Sequence, residues 1–193
     1  MTVSSARAAT TRSSLLAAAR EVFASSGFAE ASIADVVGRA GASVGSLYHH
    51  FGGKAELYIA LFEEYQHGQE ERAAAAVREA RAAGERDPLK LFLAGGRSYL
   101  EGCWAERDLS RMFLAGGGPP GFEMISRRRN REWTRQNALL LGARGGDLWA
   151  DALTQVLTTV ISEAGHEIAV CEDDTSAAML VDHTLALIAK IGS

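Results

Sequence analysis

Short and hydrogen-bonding side chains are concentrated in one segment of seven residues near the N-terminus. Ser43 and Ser46 carry hydroxyls, Gly45 lacks a side chain, and the His49 ring can donate or accept a hydrogen bond. Val44 adds a small apolar group suited to contact with a thymine methyl. A helix reads base pairs in the major groove only when its outward side chains are short or can bond base edges. This segment therefore has the chemistry needed to read duplex DNA.

Residues that can bond phosphate oxygens flank the same segment. The set consists of Ser32, Ser43, Tyr48 and Lys54. Hydroxyls, an ammonium and helix N-termini hold a protein on the DNA backbone, so they set affinity rather than sequence preference. Arg7 and Arg12 precede the first predicted helix and are interpreted as a flexible basic arm that adds phosphate or minor-groove contacts.

Two short helices joined by a tight turn are predicted to position these residues. An S-x-x-D start at Ser32 resembles a capping box, in which the hydroxyl accepts a backbone N–H. Gly41 should end this helix in a left-handed conformation, and Ser43 can cap the next helix two residues later. Leu47 and Phe51 are expected to anchor that helix to the core. The pattern predicts a helix-turn-helix at about residues 32–51.

Hydrophobic periodicity predicts helices along the rest of the chain, and no strand pattern is found. The 193-residue sequence is therefore expected to be all-α. A Gly/Pro-rich loop is predicted at 116–121 and a break at 144–147. The predicted helices cover residues 11–25, 54–83, 89–106, 109–115, 122–141, 148–169 and 175–191, in addition to the two short helices.

Four separate pieces of this segment resemble the DNA-binding signature of the TetR family. They are Ile33-Ala34, Ala40-Gly41-Ala42-Ser43, Gly45-Ser46-Leu47-Tyr48-His49-His50-Phe51 and Lys54-Ala55-Glu56-Leu57. The resemblance is strong over about residues 10–60 and extends further only through length and helical character. It implies an N-terminal helix-turn-helix DNA-binding domain at 1–54 and a C-terminal ligand-binding and dimerisation domain at 55–193.

The resemblance further implies a ligand-responsive transcriptional regulator, with a repressor as the expected type. Such a protein binds a pseudo-palindromic operator in double-stranded DNA as a homodimer, and a small-molecule effector releases it. Two-fold symmetry would place the half-sites about 34–36 Å apart. Two alternatives remain open: a ligand-insensitive regulator or activator with the same DNA-binding module, and an all-α enzyme whose helix-turn-helix resemblance is incidental.

Large apolar residues with a few polar neighbours are concentrated in the middle of the chain. Such residues pack a core, but in a helical bundle they also enclose small hydrophobic ligands. The candidate pocket residues are Phe92, Tyr99, Trp104, Phe113, Trp133 and Asn137, with Gln136 as a further polar point.

The last two predicted helices are rich in aliphatic residues and are expected to pair across a two-fold axis as a four-helix interface. The candidate interface residues are Leu153, Val156, Leu157, Val160, Leu185 and Ile188.

The distribution of charge agrees with an N-terminal DNA-facing end. The net charge is −4, but residues 1–54 hold five Lys or Arg against three Asp or Glu, whereas residues 55–193 hold 15 against 21. The N-terminal part is therefore net +2 and the remainder net −6. No apolar stretch is long enough to span a bilayer, and the first eleven residues lack the apolar segment of a signal peptide, so a cytoplasmic location without membrane contact is expected.

Other chemistry-bearing residues do not form a convincing site. No nucleophile–base set or nucleotide loop is present, so no catalytic residue and no cofactor is predicted. Adjacent His49 and His50 diverge on a helix, and the lone E-x-x-H at Glu163 falls short of a metal-binding bundle, so no metal is predicted. The arginine cluster at 127–135 fits either a solvated face or an anion site for a phosphate- or carboxylate-bearing effector.

Overall fold

The computed structural model describes residues 3–114, 117–143 and 146–192, with the side chains of residues 3–6 and 114 excepted. These residues form nine α-helices and no strand, as expected for an all-α chain. The helices are α1 Val3–Glu30, α2 Ile33–Ala40, α3 Val44–Phe51, α4 Lys54–Ala82, α5 Pro88–Ala105, α6 Arg107–Leu114, α7 Phe122–Leu141, α8 Leu148–Ala169 and α9 Asp174–Ile191. None of the described helices is long and apolar enough to cross a membrane.

The predicted helix boundaries agree closely with the structure except at the first helix. The predictions at residues 115, 116, 144 and 145 lie outside the described residues. Helix α1 begins eight residues before the predicted start at Thr11, because this segment contains several alanines and Ala has the highest helix propensity. Arg7 and Arg12 therefore lie within α1, so the prediction of a flexible basic arm was wrong.

Helix α1 contains one sharp break near its C-terminal end. Gly27 has φ 70° and ψ 170°, which interrupts the helix, and the chain resumes helical turns through Glu30. Glycine tolerates this conformation because it has no Cβ. The first helix was predicted to end at residue 25, two residues before this break.

The described chain separates into two compact units. Unit 1 consists of Met1–Gln66 and Met112–Glu123, and unit 2 consists of His67–Arg111 and Met124–Ser193. Helix α4 contributes residues to both units. These units are defined by packing, whereas the boundary predicted between residues 54 and 55 separates a DNA-binding from a ligand-binding domain. That boundary stays a prediction.

Unit 1 is built around helices α1, α2 and α3, which pack on one another. Their inward-facing apolar residues recur at helical spacing and are almost fully buried; they are Leu15, Leu16, Ala19, Val22, Phe23, Val36, Val37 and Leu47. Burying an aliphatic or aromatic side chain of this size contributes about 1.5–3 kcal/mol. This core fixes the orientation of α3.

A cluster of aromatic rings completes unit 1. Phe113 stacks edge-on against Tyr58 and Phe62, with ring centroids 5.4 and 5.1 Å apart, and Phe122 closes the cluster. Burial raises the pKa of Tyr58 to about 12, so its hydroxyl stays protonated and donates to the Met112 carbonyl at 3.4 Å. Phe113, predicted as a pocket residue, is therefore a core residue of unit 1.

Unit 2 has its core where α5, α8 and α9 pack together. Helices α5 and α8 approach closely at Gly96, where a Cβ would lie 2.5 Å from Ile161 Cδ1. Leu157, Leu185 and Ile188 belong to this core. The prediction that these three residues form a dimer interface was wrong, because their side chains are already covered within a single chain.

Candidate functional site

Helix α3 starts at a side-chain cap and ends at a glycine. Ser43 Oγ accepts a hydrogen bond from the Ser46 N–H at 3.1 Å, and the Gly52 N–H donates to the Tyr48 carbonyl at 3.0 Å. An N-cap of this kind stabilises a helix by about 1 kcal/mol. The eight-residue helix is thus fixed at both ends by local sequence.

The two faces of α3 differ sharply in exposure. Leu47 is fully buried, whereas the side chains of Val44 and Tyr48 are 47% and 52% exposed. Gly45 and His49 are also exposed, and Ser46 is half-buried. The residues predicted to read base edges therefore share the outer half of the helix.

The turn between α2 and α3 has the geometry that the sequence predicts. Ser32 Oγ accepts from the Asp35 N–H at 3.1 Å and donates to Asp35 Oδ2 at 2.6 Å, which fixes the start of α2. Gly41 adopts φ 62° and ψ 30°, and its N–H reaches the carbonyl of Gly38. The left-handed conformation of Gly41 ends α2 and turns the chain sharply, so α3 begins at Val44 after a short turn.

Lys54 makes contacts within the protein that the sequence analysis did not foresee. Its Nζ donates to the carbonyls of Ala29 and Ala31 at 3.1 and 2.8 Å, and lies 4.6 Å from the centroid of the Phe28 ring. These bonds satisfy carbonyls at the C-terminal end of α1, where a cation also interacts favourably with the helix dipole. The phosphate contact predicted for Lys54 stays a prediction, beside this structural role.

Other cations on unit 1 are also held by local partners. The Arg12 guanidinium lies 5.2 Å from the Phe51 ring centroid, which ties α1 to the end of α3. Arg39 Nη1 lies 3.0 Å from Glu21 Oε2, which ties α2 to α1, and both side chains are largely exposed. An exposed ion pair contributes about 0–1 kcal/mol, so Arg39 can exchange this partner for a phosphate at small cost.

Comparison with known proteins agrees with this geometry. Residues 15–61 match the family described as bacterial regulatory proteins, tetR family. A solved TetR-family transcriptional regulator from Pectobacterium atrosepticum is similar over 99% of this chain and 95% of its own length, with 25% identity and a TM-score of 0.66. Residues 15–61 thus match the N-terminal segment of TetR-family regulators, and the fold of the chain is TetR-like. A transcriptional regulator from Aquifex aeolicus, 20% identical with a TM-score of 0.72 over 94% of this chain and 99% of its own, shares the fold.

Curated relatives match over less than a third of the chain. The HTH-type transcriptional regulator CymR of Pseudomonas putida is 49% identical over 57 residues, 30% of this chain and 28% of that protein. The HTH-type transcriptional activator FasR of Mycolicibacterium smegmatis is 43% identical over 54 residues, 28% of this chain and 25% of that protein. The chain thus matches about a quarter of the length of these relatives. The relatives and fold neighbours named here are regulators, which is consistent with the expectation that the chain is not an enzyme.

Unit 2 contains a cavity of about 250 Å³. Three of the predicted pocket residues, Phe92, Trp133 and Asn137, line it, together with Gln136. Tyr99 lies behind Trp133, with ring centroids 4.9 Å apart. Asn137 Nδ2 donates to Thr158 Oγ1 at 3.1 Å, which fixes the orientation of that amide.

Trp104, another predicted pocket residue, lies elsewhere. Its Nε1 donates to Asp174 Oδ1 at 2.6 Å, and the Arg107 guanidinium lies 4.5 Å from its ring centroid. It borders a separate groove beside α9. Its indole is therefore held at the start of α9 and does not line the larger cavity. No sequence pattern could predict this pairing, since the two residues are 70 positions apart.

Several lining residues of the cavity were missed by the sequence analysis. They are Glu70, Ala73, Ala74, Val77, Arg78, Arg81, Gly95, Gly96, Leu140 and Ile161. Those on α4 lie in an Ala/Glu/Arg-rich stretch that has the composition of a solvated helix. The glycine pair in α5 was the available signal, because glycines inside a helix often mark close packing.

An exposed apolar face lies on α8 and α9. Leu153 and Val160 are half-buried against the core, and Val156 is exposed. The strongly exposed large residues of these two helices are Leu148, Trp149, Val156, Val170, Met179, Leu187 and Ile191. Trp149 is 78% exposed, which is unusual for an indole on the surface of a monomeric protein. Of the six predicted interface residues, only Val156 is fully on this outer face.

The arginine cluster of α7 is mostly engaged with acids or solvent. Arg129 lies 3.7 Å from Glu70, and Arg135 lies 2.9 Å from Glu132. No arginine of the cluster lines the cavity. Among the described residues, no three His, Cys, Asp or Glu side chains come together as a metal site. Burial lowers the pKa of His166, against the opposing effect of Glu163, whose Oε2 is 3.8 Å away.

Proposed function

We propose that this TetR-family regulator binds a pseudo-palindromic operator in double-stranded DNA as a homodimer, and that a small-molecule effector releases it. The observation that carries the proposal is the outer face of α3, where Val44, Gly45 and His49 are exposed while Leu47 is buried. A rigid helix with a short-residue outer face fits the major groove.

Direct base contacts are assigned to Val44, Gly45, Ser46 and His49. Gly45 lets the backbone approach the base edges, and Val44 is suited to a thymine methyl. Phosphate contacts are assigned to Ser32, Ser43, Tyr48 and Lys54. The two serines also mark the N-termini of α2 and α3, whose free N–H groups bind anions.

Dimerisation is assigned to the exposed apolar face of α8 and α9. Monomeric soluble proteins rarely expose several large apolar side chains along adjacent helices. A two-fold interface there presents two copies of α3 to two inverted half-sites. Exposed Val156 and Leu187 lie on this face, so it replaces the interface predicted from Leu157, Leu185 and Ile188.

Effector binding is assigned to the cavity of unit 2. A ligand that binds one conformer of the dimer more tightly than another shifts the population and thereby changes DNA affinity. Repression is the expected outcome, and activation is the second candidate. The name of FasR, an activator that is 43% identical over 54 residues, favours keeping this candidate.

Fluorescence anisotropy tests the DNA-binding proposal. The purified protein is titrated onto labelled duplex from upstream of its own gene and onto a scrambled duplex, across a salt series. We expect selective binding to the upstream duplex, with an affinity that falls as salt rises because cation–phosphate contacts release counterions.

Two variants sharpen this test. Tyr48→Ala removes a proposed phosphate contact and should weaken binding to all duplexes roughly tenfold, as expected for a hydrogen bond to a charged group. Met124→Ala alters a side chain on α7 that is even more exposed than Tyr48 and should have no effect. Equal, weak binding of the wild-type protein to both duplexes would contradict the proposal.

A further inference from the structure

We infer that the cavity of unit 2 takes a small carboxylate with a compact apolar body, its anionic end held by Arg78 and Arg81. This inference rests on the proposed function, because it names the chemical class of the proposed effector. Both arginines line the cavity from α4. Neither was among the predicted pocket residues.

The lining is apolar at its inner end. Phe92, Gly95, Gly96 and Ile161 are buried there, and a Cβ at Gly95 would lie 3.1 Å from Val77 Cγ2. The glycines bring α5 close to α4 and α8, so the cavity floor is formed by the Phe92 ring and aliphatic groups. An apolar ligand body placed here gains the free energy of removing its surface from water.

The outer end of the same cavity is polar and basic. Arg78, Arg81 and Gln136 are exposed lining residues. Arg78 has only a distant partner, Glu71 Oε2 at 3.9 Å. Within the part of the chain that the structure describes, Arg81 has no ion pair or hydrogen bond at its guanidinium. Two guanidiniums with donors to spare match a carboxylate, which accepts paired N–H bonds.

The one acid in the lining does not cancel this positive charge. Glu70 is held by Arg129, with Arg129 Nη1 3.7 Å from Glu70 Oε1. The lining therefore has two arginines facing one carboxylate that already has a partner. A neutral or cationic ligand would form no ion pair with these exposed guanidiniums, so the gradient from apolar floor to basic mouth favours an amphipathic anion.

Cavity size limits the ligand to a small molecule. A volume of about 250 Å³ lies below the range of about 300–1,000 Å³ for sites of drug-sized ligands. A short branched or aromatic acid fits this limit, whereas a long-chain acid or a nucleotide does not. The anion site considered from sequence at residues 127–135 is thus replaced by arginines of α4.

Calorimetric titration with two matched pairs of probes tests the inference. The pairs are 3-phenylpropanoate with 3-phenylpropanamide, and 4-methylpentanoate with 4-methylpentanamide. In each pair the shape is the same and only the charge differs. We expect at least one carboxylate to bind roughly tenfold more tightly than its amide, the ratio for a hydrogen bond to a charged group.

Three variants test whether Arg78 and Arg81 cause the preference for the carboxylate. In Arg78→Gln/Arg81→Gln the carboxylate and the amide should bind equally, and Ala74→Leu, which fills the cavity, should abolish binding of both. Arg131→Gln, an exposed arginine of α7 outside the lining, should keep the preference. Both α4 arginines are exposed, so their removal leaves the core intact, which circular dichroism checks.

Three outcomes overturn the inference: neither carboxylate binds better than its amide, the preference survives in the double variant, or Arg131→Gln loses it equally. Operator binding measured without probe tests the proposed function separately. If operator binding holds and the carboxylate preference fails, only the ligand class is wrong. If the preference holds and operator binding fails, the ligand class stands and the regulatory role is wrong.

Discussion

Lys54 shows how one side chain can belong to both stability and DNA binding. Its ammonium bonds the carbonyls of Ala29 and Ala31 and lies over the Phe28 ring. We expect Lys54→Ala to lower the free energy of unfolding by about 1.5–3 kcal/mol, the range for hydrogen bonds to charged groups. Urea denaturation measures this change.

Lys90→Ala is the matched control, because Lys90 is exposed and its Nζ is 3.7 Å from Glu85 Oε2. Such a surface pair contributes about 0–1 kcal/mol. If Lys54→Ala unfolds at the wild-type urea concentration but loses DNA affinity, its ammonium acts on phosphate and the structural role described above is wrong.

Gln69 is a second residue whose effect on stability can be predicted. It is fully buried, and neither Oε1 nor Nε2 has a hydrogen-bond partner among the described residues. It packs on Gly102, where a Cβ would lie 2.3 Å from Gln69 Oε1. A buried polar group without a partner costs about 1–3 kcal/mol, so Gln69→Met should raise the free energy of unfolding by about that amount.

Gln66→Met, at a partly exposed position one turn earlier, is the control and should change stability by less than about 0.5 kcal/mol. Thermal unfolding by calorimetry compares the two variants. A loss of stability in Gln69→Met would mean that the amide has a polar partner in solution.

At the scale of helices and turns, the sequence was sufficient to predict those features that depend on residues close together in the chain. Ser32, Gly41 and Ser43 each act on groups within a few residues, so their capping roles could be predicted and are confirmed. Lys54 bonds carbonyls 23 and 25 residues away, and no sequence pattern reports such a pairing. The long start of α1 was missed because alanine propensity leaves no apolar stripe to detect.

Two glycines in and next to the turn of the helix-turn-helix are expected to respond to alanine substitution with opposite changes in stability. Gly41 has φ 62°, so Gly41→Ala should destabilise unit 1 by about 1–2 kcal/mol, the cost of a left-handed conformation for a residue with a Cβ. Gly38 lies inside α2, and a Cβ there meets nothing within 4 Å. Gly38→Ala should therefore stabilise the protein, by about 0.5–1 kcal/mol.

Chemical denaturation of both variants measures the difference. The opposite signs are the essential result, because a general effect of added methyl groups would change both variants in the same direction. Equal destabilisation would contradict the assignment of Gly41 as the obligatory left-handed residue of the turn.

At the scale of the whole molecule, helical periodicity failed to separate core from interface. Helices α8 and α9 are apolar on more than one face, so Leu157 and its neighbour Val156 look equivalent in sequence. The structure buries Leu157 and exposes Val156. Likewise, Phe113 and Trp133 were grouped by residue type, but one packs in unit 1 and the other lines the cavity of unit 2.

The proposed dimer interface gives a prediction at this scale. Val156→Asp/Leu187→Asp places two charges on the exposed apolar face of α8 and α9, and desolvating them on association is costly. We expect the variant to sediment as a monomer with wild-type helicity. Leu139→Asp, on the exposed side of α7, is the control and should leave the protein dimeric. A double variant that stays dimeric would place the interface elsewhere.

The central claim is that the outer face of α3 reads base pairs, and selection from random duplexes tests it most directly. Sequences recovered with the wild-type protein and with Val44→Asn are compared. We expect two inverted half-sites whose centres are about 34–36 Å apart, and a changed base preference at one mirrored position with Val44→Asn. Recovery of unrelated sequences, or a preference that Val44→Asn leaves unchanged, would contradict it.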